Sequence, residues 1–159
     1  MKQYLRPVQR FVYFLLKNHS IADDLTQEVF VKVYKHMGSF RNESSIKTWI
    51  YKIALNEVRM HRRSSWFRRF VLFGNINEEM AGCQDDSEMS APEQEEVLRV
   101  VLSLSPNYRE VILLHYYQDL KVSEVATILG ISHDAVYTKL HRAKKQLKER
   151  LEKEGFVWM

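Results

Sequence analysis

The sequence predicts an all-α protein of two small helical domains, residues 1–73 and 97–159, joined by an acidic linker over residues 74–96. Three observations carry this reading. Apolar residues recur three and four positions apart through most of the chain, the spacing that gathers side chains on one helix face. No stretch offers a convincing strand pattern. The charge is also partitioned along the 159 residues, whose formal net charge is only +4. Residues 1–73 hold 14 Lys/Arg against 5 Asp/Glu, residues 74–96 hold 8 acidic residues and no basic one, and residues 97–159 hold 10 basic against 7 acidic. The three blocks therefore carry +9, −8 and +3.

In the first domain, Leu5, Val8, Val12, Leu15 and Leu16 mark one face of a helix predicted from Lys2 to Lys17. Ser20 with Asp23 three positions later resembles a capping box. It opens a second helix whose stripe of Ala22, Leu25, Val29 and Val33 runs to about Met37 and ends at Gly38. After a polar turn from Arg41 to Ser45, the residues Ile46, Trp49, Ile50, Ile53, Ala54 and Val58 predict a third helix. Lys52, Arg59, Arg62 and Arg63 fall mostly off that stripe, so one side is apolar and the other cationic. Segment 74–96 lacks apolar periodicity and holds two of the five glycines and one of the three prolines, as a solvated linker does. Its acids can serve solubility alone or screen the basic faces until a polyanion arrives.

Beyond the linker, Val97, Val101 and Leu104 predict a helix that stops near Ser105-Pro106. Pro106 suits the first turn of the next helix, where its missing amide hydrogen would lack a partner anyway. Val111, Leu114 and Tyr117 carry that helix to about Gln118. The sharpest local pattern comes next: an amphipathic helix from Val122, a turn at Gly130, and Ser132 as the cap of a helix whose core side is Val136, Leu140 and Leu147. This is a helix-turn-helix, with glycine where the turn needs a positive backbone angle.

Composition excludes several classes. With 45% hydrophobic and 12% aromatic residues, the chain can bury a real core and is not disordered throughout. One cysteine, Cys83, leaves no disulfide framework within the chain and no multi-cysteine metal site, and fits a reducing compartment. The longest apolar run is Phe11 to Leu16, far short of the roughly 18 residues that span a bilayer. The start, Met1 to Pro7, lacks a signal-peptide pattern. A soluble, cytoplasmic protein is expected. Six histidines show no H-x-x-x-H pair, and there is no phosphate-binding glycine loop or nucleophile elbow, so neither a metal, a cofactor nor an enzyme is expected.

The second helix of a helix-turn-helix lies in the major groove, so base reading falls to the outward face from Ser132 onward: His133, Asp134, Tyr137, Thr138, Lys139, His141, Arg142 and Lys145. A solvated helix packing on its neighbours would show the same pattern, but the basic run Arg142, Lys144, Lys145, Lys148 and Arg150 favours DNA. In the first domain, Arg41, Lys47, Lys52, Arg59, Arg62 and Arg63 surround Trp49, Tyr51 and the loop from Asn42 to Ser45. Cations beside flat and amide groups can hold a single strand and an unstacked base, whereas Trp49, on the apolar stripe, also suits the core. The acidic helix face of Asp23, Asp24, Gln27 and Glu28 serves equally as a docking surface or as acid complementing a helix N-terminus.

Two blocks of residues then point to a family. The first is Ala22-Asp23-Asp24-Leu25-Thr26-Gln27-Glu28-Val29-Phe30 followed by Ser39 to Ala54. The second is Leu104-Ser105-Pro106, Arg109-Glu110-Val111, Glu124-Val125-Ala126 through Gly130-Ile131-Ser132, and Arg142-Ala143-Lys144. Over nearly its whole length the chain resembles the sigma-70 family, specifically the two-domain extracytoplasmic-function type. The resemblance implies a non-catalytic specificity subunit of bacterial RNA polymerase that directs core enzyme to promoters, with a stress or envelope response regulon expected. It implies core-polymerase docking through Asp24, Leu25, Gln27, Glu28 and Phe30. Capture and melting of the −10 element would fall to Arg41, Asn42, Ser44, Ser45, Lys47, Thr48, Trp49, Lys52, Asn56, Arg59, Arg62 and Arg63. Reading of the −35 duplex would fall to Ser132, His133, Tyr137, Thr138, Lys139, His141, Arg142 and Lys145. Ala135 and Tyr137 depart from the Thr and basic residue that many members carry. An anti-sigma factor is a further expected partner.

Overall fold

The computed structural model describes residues 1–64 and 92–156. Among these every regular element is helical and no strand occurs. The chain divides into two compact units. Residues 65–73 of the first predicted domain, and residues 74–91 of the predicted linker with Cys83, lie outside the described residues.

The N-terminal unit contains α1 (Lys2–Leu16), α2 (His19–His36), a 3-10 turn (Met37–Ser39) and α3 (Ile46–Arg63). The helix α1 packs on α2 and α3, and α2 packs on α3. Leu5, expected on the apolar stripe, is exposed. The buried face starts at Val8, and all six residues from Phe11 to Leu16 are enclosed, so this half of α1 is buried on every side. Pro7 removes one amide from the helix ladder, and the preceding turn is still joined by the Tyr4 amide donating to the Met1 carbonyl at 3.0 Å.

A two-residue turn separates α1 from α2. Lys17 adopts the left-handed region at φ 55°, closing α1, and Asn18 Oδ1 accepts the Ile21 amide at 3.0 Å. The cap is therefore Asn18 rather than Ser20, because the helix starts two residues earlier than the Ser20–Asp23 pair suggests. Gly38 sits within the 3-10 turn without a positive φ, so the helix ends by tightening rather than by a left-handed glycine. Ser45 caps α3, its Oγ accepting the Thr48 amide at 3.1 Å. Tyr51 occupies the centre of this unit, fully buried, its ring edge-on to Phe11 with centroids 5.1 Å apart at 79°. Lys32 of α2 pairs with the buried Glu57 of α3, which gives the carboxylate the partner its burial demands.

From Pro92 onward the chain forms α4 (Pro92–Ser103), α5 (Pro106–Ile112), a π turn (Leu113–Tyr117), α6 (Val122–Leu129) and α7 (His133–Lys153). Helix α4 begins at Pro92, so the last five residues of the predicted linker are helical, with proline again in a first turn. Tyr117, expected on the buried stripe of α5, is exposed. The π turn explains this: the Gln118 amide reaches back five residues to the Leu113 carbonyl at 3.0 Å, and the extra residue in the turn rotates Tyr117 off the stripe. The core gathers Val101, Leu104, Val111 to Leu114, Leu120, Val125, Val136, Leu140, Ala143 and Leu151. Leu147 is only half-buried, and Ala143 and Leu151 hold the core side of α7 instead.

Candidate nucleic-acid and partner interfaces

The turn between α6 and α7 is built from the bottom up by three local bonds. Lys121 donates its amide to Glu124 Oε2 at 2.8 Å, which closes the start of α6. Gly130, at φ +67°, lets the Ile131 amide return to the Ala126 carbonyl at 3.2 Å. Ser132 Oγ then accepts the Ala135 amide at 3.1 Å and starts α7. With Val136 and Leu140 in the core, the opposite side of α7 exposes His133, Tyr137, Thr138, His141, Arg142 and Lys145 together. Lys139 is half-buried on the flank. Two of the expected readers have local duties, since Ser132 is a cap and Thr138 Oγ1 donates to the Asp134 carbonyl at 3.0 Å. Arg150, counted in the basic run, donates to the Ser103 carbonyl and to Ser103 Oγ, both at 2.6 Å, and ties α7 to α4. Lys144 Nζ lies 5.2 Å from the ring centre of the exposed Tyr116 in the π turn.

On α3 the side away from the core carries Trp49, Lys52, Asn56 and Arg63, joined by Met60, which is 59% exposed and absent from the sequence expectation. Trp49 is half-buried against Phe40, ring centres 4.9 Å apart, so it neither joins the core nor stands free. The preceding loop exposes Arg41, Asn42 and Ser45, with Ser44 half-buried. Asn42 takes the left-handed conformation, φ 56°, that asparagine tolerates best among non-glycine residues. Lys47 and Arg59 are half-buried. Two members of the expected strand-capture set make contacts within the unit. Thr48 is buried, and its Oγ1 accepts from Ser45 Oγ at 2.9 Å. Arg62 donates to the Leu15 carbonyl at 2.8 Å, satisfying an end group of α1. Tyr51, placed at this surface by its neighbours in sequence, is in the core, where burial and nearby Tyr4 push its phenol well above the ordinary range. Arg62→Gln is expected to lower the stability of the unit by about 1 kcal/mol in a denaturant titration.

The outward face of α2 contains Asp24, Gln27 and Glu28, all exposed, with Phe30 half-buried on its edge. Leu25 is buried and belongs to the core, as its place on the Ala22–Val29–Val33 stripe requires. The same outward face extends further than the sequence suggested, through Val31 (52% exposed) and Tyr34 (80% exposed). Their positions, seven and ten residues after Asp24, repeat the three-and-four spacing, and that was the available signal. Across from this face, burial lowers the basicity of the His61 imidazole of α3, and the Glu28 carboxylate opposes that shift. Among the described residues no three His, Cys, Asp or Glu side chains gather where a metal ion could be held. None of the described helices is long and apolar enough to cross a membrane.

Residues 1–68 match the family model of Sigma-70 region 2, and residues 94–147 match that of Sigma-70, region 4. The chain is 33% identical over 160 residues to the RNA polymerase sigma factor YlaC of Bacillus subtilis, an alignment covering 96% of this chain and 90% of YlaC. The chain belongs to the sigma-70 family. This sigma factor is also 28% identical over 156 residues to the ECF RNA polymerase sigma factor SigM of Bacillus subtilis, across 92% of this chain and 90% of SigM, and it is of the extracytoplasmic-function type. In fold it resembles the sigma factor RpoE of Bartonella quintana, solved in complex with the anti-sigma factor NepR. The TM-score is 0.73 at 22% identity, covering 94% of this chain and 92% of that one. The two helical units of this sigma factor are thus a region 2 domain and a region 4 domain, and its role is that of a DNA-binding factor in transcription initiation by RNA polymerase.

Proposed function

We propose that this sigma factor docks on core polymerase through the outward face of α2, captures the displaced −10 strand on the outer side of α3, and reads the −35 duplex with α7. The observation that carries the reading is the face of α7. Behind a left-handed Gly130 turn and a Ser132 cap, it exposes His133, Tyr137, His141, Arg142 and Lys145 together, with groups for base edges first and cations for phosphate after them. On α3, the strand-capture set is Arg41, Asn42, Ser44, Ser45, Lys47, Trp49, Lys52, Asn56, Arg59 and Arg63. A flat ring and amides lie among cations there, as single-strand binding requires. Docking falls to Asp24, Gln27, Glu28 and Phe30, joined by Val31 and Tyr34.

Two weakly binding modules on one chain hold a promoter tightly only when both sites are engaged at the right spacing. An anti-sigma factor of the kind bound to RpoE is a further partner, and a stress or envelope response is the regulon that fits. The protein acts in the cytoplasm, where core polymerase works. The deciding experiment is transcription from a promoter library by purified core polymerase with and without this chain. A defined set of promoters served only in its presence is expected, and an unchanged transcript set would overturn the reading. Within that assay, Arg142→Ala is expected to weaken −35 binding about equally across sequences and to lower the salt dependence of binding by about one unit, read by footprinting at several salt concentrations.

A further inference from the structure

The outward face of α7 divides into halves of different chemistry. From His133 to His141 the only Lys or Arg is Lys139, half-buried on the flank, while the cations Arg142, Lys144, Lys145 and Lys148 occupy the next turns. In the first half the Ser132 and Thr138 hydroxyls are engaged with neighbouring backbone. Beside the exposed Asp134, this half presents a row of flat rings, His133, Tyr137 and His141, each four residues and one turn from the next, and all exposed. Tyr137 stands at the centre of the row, 59% exposed, on a helix whose opposite side is anchored by Val136 and Leu140. A firmly seated helix thus holds a large apolar ring out into water. Among the base edges of the major groove the apolar feature is the C5 methyl group of thymine, which takes apolar side chains as partners.

We propose that Tyr137 determines specificity in the −35 element by covering the 5-methyl group of one thymine; this rests on the −35 reading of α7 given above. The ring has the area to cover a methyl that a shorter side chain would leave in water, and its hydroxyl stays free for water or phosphate. Arg142 and Lys145, one to two turns further on, hold the backbone and fix the register. Removing one methyl from water is worth about a three- to fivefold change in affinity.

The test uses holoenzyme assembled from core polymerase and the full chain. The parent first selects duplexes from a pool randomised across the −35 region. On the best of these, each thymine is replaced in turn by deoxyuridine, and binding is compared by competition footprinting for the parent, Tyr137→Phe and Tyr137→Ser. One position is expected at which loss of the methyl weakens binding about three- to fivefold for the parent and for Tyr137→Phe but not for Tyr137→Ser. At that position 5-methylcytosine should bind better than cytosine in the parent. Equal binding of thymidine and deoxyuridine at every position by the parent, or a penalty that survives in Tyr137→Ser, overturns the role of Tyr137. Failure of the parent to protect any −35 DNA with core present overturns the −35 reading itself, and this inference with it.

Discussion

Tyr51→Ala is expected to unfold the N-terminal unit at ordinary temperatures. Tyr51 is fully buried where α1 and α3 meet, and its ring is set edge-on to Phe11. Truncating a buried aromatic removes its transfer energy and leaves a cavity, together about 3–5 kcal/mol. A unit of this size has little more than that to lose, since domain stabilities run from about 5 to 15 kcal/mol and small domains lie at the low end. Circular dichroism melting should show an early transition absent from the parent, with promoter melting abolished. A parent-like melt would show that the cavity collapses around the missing ring. Tyr51→Phe retains the ring packing and serves as the control. It also isolates a pH effect. Because the folded phenol is held above its ordinary range, its contribution is fully present below the unfolded value of about 10 and declines as pH rises beyond it. Tyr51→Phe should flatten that alkaline decline relative to the parent.

The combined variant Asp24→Ala, Gln27→Ala and Tyr34→Ala is expected to weaken binding to core polymerase by about 2 kcal/mol or more, roughly thirtyfold in Kd. All three residues lie on the outward face of α2, and Tyr34 is 80% exposed, so the isolated chain should melt like the parent. The reason to include Tyr34 is physical. Interfaces draw most of their energy from aromatic anchors, while exposed carboxylates chiefly set steering and register. Comparing the Asp24→Ala, Gln27→Ala pair with Tyr34→Ala alone, in a titration of labelled chain with core, separates the two contributions. Unchanged affinity for all three variants would remove α2 from the docking surface.

The helices were legible because burial leaves its period in the sequence. Val8, Val12 and Leu15 in α1, Ala22, Leu25, Val29 and Val33 in α2, and Val136 and Leu140 in α7 were assigned to the core from spacing alone, and they lie there. The turn at Gly130 and the Ser132 cap were equally legible, since their chemistry is local. The errors share a cause. Leu5 and Tyr117 are apolar residues at helical spacing that the structure leaves exposed, the first beyond the end of the packed face and the second rotated outward by a π turn. Thr48 and Arg62 are polar residues that looked available to a DNA strand. They are engaged instead by Ser45 and by the Leu15 carbonyl, the latter 47 residues away along the chain.

By itself, then, the sequence determined the helical class, the two basic blocks with acid between them, and the family, because periodicity, charge and local capping are properties of neighbouring residues. Which polar groups on those helices bond to distant parts of the chain was decided only by the tertiary structure. A guanidinium or hydroxyl bonded to a distant carbonyl has fewer donors left for a partner, and such bonds depend on contacts between segments that nothing in the local pattern brings together.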